Sequence, residues 1–189
     1  MKKLMFLAAV LLTAGAASAQ ITYSLGYINT STETKALVNH TESMNGFTIS
    51  VDDNINLAGD LNVAPGVGMD VSFKKDGNLK YKKVGLYVPV DFNYGIALGS
   101  DLKLFIFAGP TFDLGILNDY KNGNGDKINN FDNNLKRFDL LLGGGAWLTF
   151  QDQLRFKVGY KAGMLNTSKI DNVTVKNNVL SVSVGYIFW

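Results

Sequence analysis

The sequence predicts an all-β fold: an eight-stranded antiparallel up-and-down transmembrane β-barrel that follows a cleaved signal peptide. Three observations carry this expectation. Apolar residues recur at every second position through a series of segments, the periodicity of strands. Nearly all of the charges in those segments fall on the opposite face. The closing stretch, Leu180–Trp189, sets Leu180, Val182, Val184, Tyr186 and Phe188 against Ser181, Ser183 and Gly185. A strand that is apolar on one side, small and polar on the other and aromatic at its end fits the wall of a membrane barrel.

The N-terminus supplies the matching export signal. Lys2 and Lys3 precede the apolar run Leu4–Leu12, and Ala17-Ser18-Ala19 is a small-residue cleavage site, so residues 1–19 read as a signal peptide and 20–189 as one barrel domain. The apolar run is too short to cross a bilayer comfortably as a helix, which takes about 20 residues. Subtracting Lys2 and Lys3 from 18 basic residues leaves 16 against 16 acidic ones, so the mature chain is formally neutral and nucleic acid is not an expected partner. With no cysteine in 189 residues, disulfide scaffolds and cysteine metal sites are excluded.

Along the mature chain the first strand is expected at Ile21–Asn29, followed by a polar loop, Thr30–Ser43. The second, Asn45–Asp52, presents Phe47, Ile49 and Val51 to lipid, and the third, Asp60–Lys74, presents alternate residues from Leu61 to Phe73. Lys75-Asp76-Gly77-Asn78 has the composition of a tight turn. The fourth strand, Tyr81–Tyr94, and the fifth, Leu102–Leu117, flank a turn at Gly99-Ser100-Asp101. A long loop, Asn118–Asn134, leads to the sixth strand, Leu135–Phe150, then Gln151-Asp152-Gln153 turns into the seventh, Leu154–Leu165. Asn166–Lys176 is the last loop before the eighth strand. Ten strands remain open should Ile55–Leu57 or Val173–Val175 pair separately. Connections after the second, fourth and sixth strands are short, while some of the others are long and polar, which is the pattern of short periplasmic turns and longer outer loops. Pro65, Pro89 and Pro110 interrupt strands and are expected to form bulges, as is Gly143-Gly144-Gly145, which leaves the facing of Trp147 open.

The inward positions carry Asp52, Asp70, Asp91, Asp113 and Asp139 with Lys74, Lys103, Arg137, Arg155, Lys157 and Lys161. A soluble barrel would turn large aliphatics inward, whereas the inward set reads as Asp, Lys, Arg, Gly, Ser and Thr. An eight-stranded interior is only wide enough for side chains to fill, and buried charge must be paired. The expectation is a salt-bridged polar lumen in a protein with a structural and surface-display role and no enzymatic activity. Two alternatives stand beside it: a narrow porin for small solutes, and an enzyme that modifies lipid A.

At Val84–Val90 (VGLYVPV), Phe107–Pro110 (FAGP), Gly143–Trp147 (GGGAW), Gly159-Tyr160 and Val184–Trp189 (VGYIFW) the chain resembles small outer-membrane barrels of the OmpX and OmpA-barrel kind. It is most similar to the outer-membrane β-barrel-domain, or porin-family, proteins of Bacteroidetes. The resemblance implies location in the bacterial outer membrane after passage through the periplasm. It also implies contact with lipid and lipopolysaccharide, a monomeric state, and insertion by the barrel-assembly machinery with periplasmic chaperones. That machinery reads a terminal strand ending in an aromatic, here Val184, Tyr186 and Phe188, with Trp189 one residue beyond.

His40 is the only histidine and lies near Glu42, Ser43 and Asp76 in sequence or expected space. It is a conceivable general base for Ser43 or a lipid hydroxyl, though an exposed loop histidine explains it more simply. Asp119, Asp126 and Asp132 lack the spacing of a Ca²⁺ loop and read as a solvated, disordered segment. No cofactor or metal is expected.

Overall fold

The computed structural model describes residues 20–121 and 127–188. The expected signal peptide and Trp189 lie outside the described residues. Ten strands follow in chain order: β1 (Ile21–Lys35), β2 (His40–Asp53), β3 (Ile55–Ala58), β4 (Leu61–Asp76), β5 (Leu79–Ala97), β6 (Leu102–Lys121), β7 (Lys127–Asn129), β8 (Phe138–Phe150), β9 (Leu154–Gly163) and β10 (Thr174–Phe188). One helical turn, Asn130–Asn133, separates β7 from β8. Eight of the strands close a ring in the order β2, β1, β10, β9, β8, β6, β5, β4, with β4 returning to β2. Every pairing is antiparallel.

The two additional strands do not widen the ring. β3 pairs with β4 alone, and Ile55↔Val63 keeps the register of Asp52↔Gly66. β3 is therefore β2 continued past a gap in the ladder, opposite Pro65, which has no N–H to give. β7 is a three-residue return along the outer end of β6. Val175, left open in the sequence, belongs to β10.

The outward face is an unbroken apolar belt. Leu25, Ile49, Phe92, Ile106, Phe156, Val158, Val182 and Val184 are all exposed although apolar, an arrangement stable only against lipid. No helix among the described residues is long and apolar enough to cross a membrane. The turns after β2–β3, β5 and β8 lie at one end with both termini of the ring, the periplasmic end. The β1–β2, β4–β5, β6–β8 and β9–β10 connections lie at the other.

Several expectations need correction. The prolines and the glycine triplet do not bulge. Pro65↔Val90 and Gly68↔Tyr87 share one register across an interrupted ladder, as do Pro89↔Thr111 and Phe92↔Ala108. Pro110↔Leu142 and Gly143↔Lys161 also lie in unshifted ladders. A lost donor thus removes bonds without inserting a residue. The shift in the β5–β6 ladder falls instead between Val84 and Gly85. The polar loop expected at Thr30–Ser43 is mostly strand, since the β1–β2 ladder runs out to Thr34↔His40. β6 continues to Lys121, and the segment from Lys127 to Asn133 is folded as β7 and the helical turn rather than disordered.

Glycine is required where the ring is tightest. A Cβ on Gly143 would meet the carbonyl oxygen of Tyr160, and one on Gly145 that of Val158. We predict that Gly145→Val lowers the stability of the folded barrel by about 1–3 kcal/mol, the usual cost of overpacking, while Ser181→Ala changes it little. Urea titration of the refolded barrel in micelles, followed by tryptophan fluorescence, checks both.

Candidate functional site

The lumen is where the sequence places the chemistry, and the structure divides it into layers. Nearest the periplasm, Arg155 on β9 is buried at 2% exposure and pairs with Asp52 on β2, at 7%. Its Nη2 also reaches Ser24 Oγ at 3.3 Å. The pair spans the lumen between strands that are not neighbours in the ring.

Above it lies an aromatic layer absent from the sequence expectation. Trp147 on β8 is 2% exposed and points inward. Phe105 stacks on it at 5.2 Å between centroids and Phe107 leans on it at 5.3 Å. Cations close both sides of this layer: the Arg155 guanidinium lies 5.3 Å from the Trp147 ring, and Lys157 Nζ lies 4.3 Å from the Phe107 ring. Lys157 and Lys161 then share Asp91, at 2.8 and 3.0 Å, and Lys161 donates to Thr111 Oγ1 at 2.5 Å. Asp91 is 1% exposed, so two ammonium groups compensate one desolvated carboxylate.

Glycines make room for the inward rings. Gly68 pairs with Tyr87 and Gly95 with Phe105. A Cβ on Gly95 would stand 2.8 Å from the Phe105 ring, and one on Gly68 would enter the Tyr87 ring. Tyr87 in turn hydrogen-bonds Thr48 across the lumen at 2.8 Å. The inward list given by the sequence omitted Tyr87, Phe105, Phe107, Trp147, Ile28 and Leu141. The signal was present: each holds an inward parity, and Gly68 and Gly95 fall opposite two of the rings.

The upper lumen carries the remaining acids. Asp113 and Asp139 are cross-strand partners. Asp139 accepts from Leu140 N at 2.8 Å and from Asn177 Nδ2 at 3.1 Å. Asp70 Oδ1 is buried without a hydrogen-bond partner among the described residues. A gap of about 80 Å³ separates Asp70, Asp113, Tyr87 and Lys161. The expected full pairing of the inward charges is therefore corrected: Asp52 and Asp91 meet cations directly, while Asp139 is held by amide donors.

Three further residues assigned to the lumen network sit at its rims. Lys103 lies at the periplasmic mouth, 3.0 Å from Asp152. Lys74 lies near the outer end, 3.5 Å from Glu42. Arg137 precedes β8, donates to the carbonyls of Gly115 and Ile116 and lies over the Phe131 ring at 4.8 Å. These positions lie beyond the enclosed part of the ring. Phe131, at 5% exposure, fills the space above Gly115 and caps the outer end.

Two outer connections are tied together over this cap. Lys169 Nζ donates to the Phe131 carbonyl at 2.7 Å, Lys136 N donates to Thr167 O at 2.7 Å, and Leu135 bridges Ser168. At the periplasmic end a vestibule of about 560 Å³ opens instead, lined by Asp53, Asn62, Lys103, Phe105, Asp152 and Arg155 among others. His40 is on β2, 3.4 Å from Glu42. Ser43, three residues along the same strand, takes the opposite face, so the strand pleat separates the two side chains. On β10, Val184, Tyr186 and Phe188 all point outward and are exposed, with Tyr23 edge-on to Phe188 at 5.4 Å.

A closed ring with an apolar exterior, a lumen lined by charged and aromatic side chains, and outer loops defines a small integral outer-membrane β-barrel. The sequence profile of the outer membrane protein beta-barrel domain family matches residues 4–188, and the chain belongs to that family. It is a protein of the bacterial outer membrane. Among solved structures it is similar to Neisserial surface protein A, with a TM-score of 0.50 at 15% identity, covering 88% of this chain and 97% of that one. It is similar also to OprG from Pseudomonas aeruginosa, with a TM-score of 0.50 at 13% identity, covering 90% and 96%. At these identities the likeness is one of fold. No curated protein sequence matches the chain.

Truncating Arg155 leaves Asp52 buried without its cation. We predict that Arg155→Ala destabilises the barrel by about 3–5 kcal/mol, and that Arg155→Met combined with Asp52→Leu recovers most of the loss. The midpoint of urea unfolding in micelles gives both values.

Proposed function

We propose that this chain is a closed, non-conducting, non-catalytic barrel that holds its outer hairpins and loops at the cell surface. The observation that carries the reading is the filled lower lumen. Arg155 with Asp52, the Trp147–Phe105–Phe107 stack, and Lys157 and Lys161 on Asp91 succeed one another up the lumen. An eight-stranded ring has an interior only just wide enough for side chains to fill.

The outer end supports display. The lipid-facing apolar positions of the β1–β2 hairpin stop at Tyr27 and Phe47, and Tyr27 Oη, Asn29 and Asn45 are linked by hydrogen bonds at the boundary. Beyond them the paired strands continue through Thr34↔His40. At about 3.3 Å per residue the tip stands roughly 20 Å above the apolar belt. There Leu37 and Val38 are exposed at 106% and 79%, apolar side chains offered to solvent. His40 is likewise exposed, and its partner is Glu42 rather than Ser43.

Wild-type protein in planar bilayers is expected to give no steady channel, and Trp147→Gly with Phe107→Ala is expected to give one. Steady solute passage by the wild type would favour the narrow-porin reading. Lipid A mass spectra from cells with and without the protein are expected to coincide. A mass change that His40→Ala abolishes would favour the enzyme.

A further inference from the structure

The β4–β5–β6 wall carries exposed lysines that make no ion pair among the described residues. Lys75 is the register partner of Lys80, and Lys80 that of Lys121, so three lysines stand in one row across three strands. Lys127 on β7 takes the next register position. One row below, Lys82 stands between Phe73 and Asp119. Lys75, Lys80, Lys82 and Lys121 are all exposed.

Cross-strand partners have Cβ atoms about 4.5–5.5 Å apart, and like charges placed directly opposite destabilise a sheet. The protein places its lysines this way twice in succession. Among the described residues none of the four makes an ion pair. Their neighbour Lys74, on the other face of β4, has both Glu42 and Asp76. Asp119 is 6% exposed beneath the row, and one carboxylate cannot balance four cations.

The position of the row identifies what balances it. Lys75 lies two residues beyond Phe73, an outward ring of the apolar belt, hence about 7 Å farther along a strand tilted by about 35–45°, or about 5 Å above it. That height is the headgroup layer of the outer leaflet. Long lysine stems lie along apolar surface and carry their ammonium groups into such a layer, where phosphate oxygens accept from them strongly.

We propose that Lys75, Lys80 and Lys121, with Lys82 beneath them, form a binding site for the phosphate groups of a phosphorylated glycolipid headgroup in the outer leaflet. The site rests on the membrane-spanning orientation, not on whether the lumen conducts. It makes the β4–β6 wall a fixed lipid contact and leaves the hairpin tip of β1–β2 free on another side of the ring.

The test uses the full mature barrel in phosphatidylcholine vesicles doped with bis-phosphorylated lipid A, followed by mild extraction and native mass spectrometry of retained lipid. Wild type is expected to retain lipid A, and to lose it on raising salt. At about fivefold per lysine near a charged surface, Lys75→Gln, Lys80→Gln and Lys121→Gln together reduce retention by about a hundredfold. Lys35→Gln, an outer lysine on β1, is expected to leave it unchanged. The mobility shift of unboiled protein in SDS gels reports folding separately, and the salt dependence of wild type tests the site without any variant. Equal retention by the triple variant, equal retention of lipid A stripped of its phosphates, or indifference to salt would each overturn the proposal. So would inorganic phosphate binding the row in plain micelles as tightly as lipid A does.

Discussion

Closure of the ring is the constraint on which the remainder depends. In hydrocarbon an unpaired backbone N–H or C=O costs several kcal/mol, so a sheet crosses a membrane only when it has no edge. Here the first strand meets the last over fifteen register pairs, from Ile21↔Phe188 to Lys35↔Thr174. The β2–β4 ladder joins the rest across eight, from Asn45↔Phe73 to Asp52↔Gly66. Once the ring is closed, strand alternation commits half of all side chains to lipid and half to a narrow lumen. Both faces of the sequence follow from that division.

The lumen must then be filled and its charges satisfied within the reach of eight strands. The lower half does this with pairs that cross the ring, Asp52 to Arg155 and Asp91 to two lysines, and inserts an aromatic layer between them. The rings exclude water, which strengthens the ion pairs, and the pairs fix cations above and below the rings. The upper half is looser: Asp70 and Asp113 face a small gap, with Asp139 the register partner of Asp113. The lower lumen is thus braced by pairs that cross the ring, and the outer end by the tied cap. The β1–β2 hairpin rises beside that cap, with β1 laddered to β10 as far as Lys35↔Thr174.

The architecture was legible because period-two alternation is unambiguous where one face meets lipid, as in Leu180–Phe188. It faded where both faces meet water. Thr30–Lys35 and His40–Ser43 are strand residues, yet with polar side chains on both sides they read as loop. The prolines misled for a different reason. Pro89 and Pro110 were weighed as disruptions of register, but long ladders on both flanks hold the register and simply omit a bond. The inward charges were visible through parity, while their partners were not, because Asp52 and Arg155 lie on strands far apart in sequence. The aromatic plug escaped notice since Phe105, Phe107 and Trp147 resemble lipid-facing residues unless their parity is followed strictly through Gly143–Gly145.

The most direct measurement addresses closure between β1 and β10. The chain has no cysteine, so Ser31→Cys with Asn178→Cys introduces a single possible bridge between register partners. Antiparallel partners have Cα atoms about 4.5–5.5 Å apart, within disulfide range. Oxidation of intact outer membranes is predicted to link Ser31→Cys to Asn178→Cys and to leave Ser31→Cys with Lys176→Cys, two residues out of register, unlinked. Failure of the first pair to cross-link in folded protein, or equal linking of both, would contradict the closed ring described here.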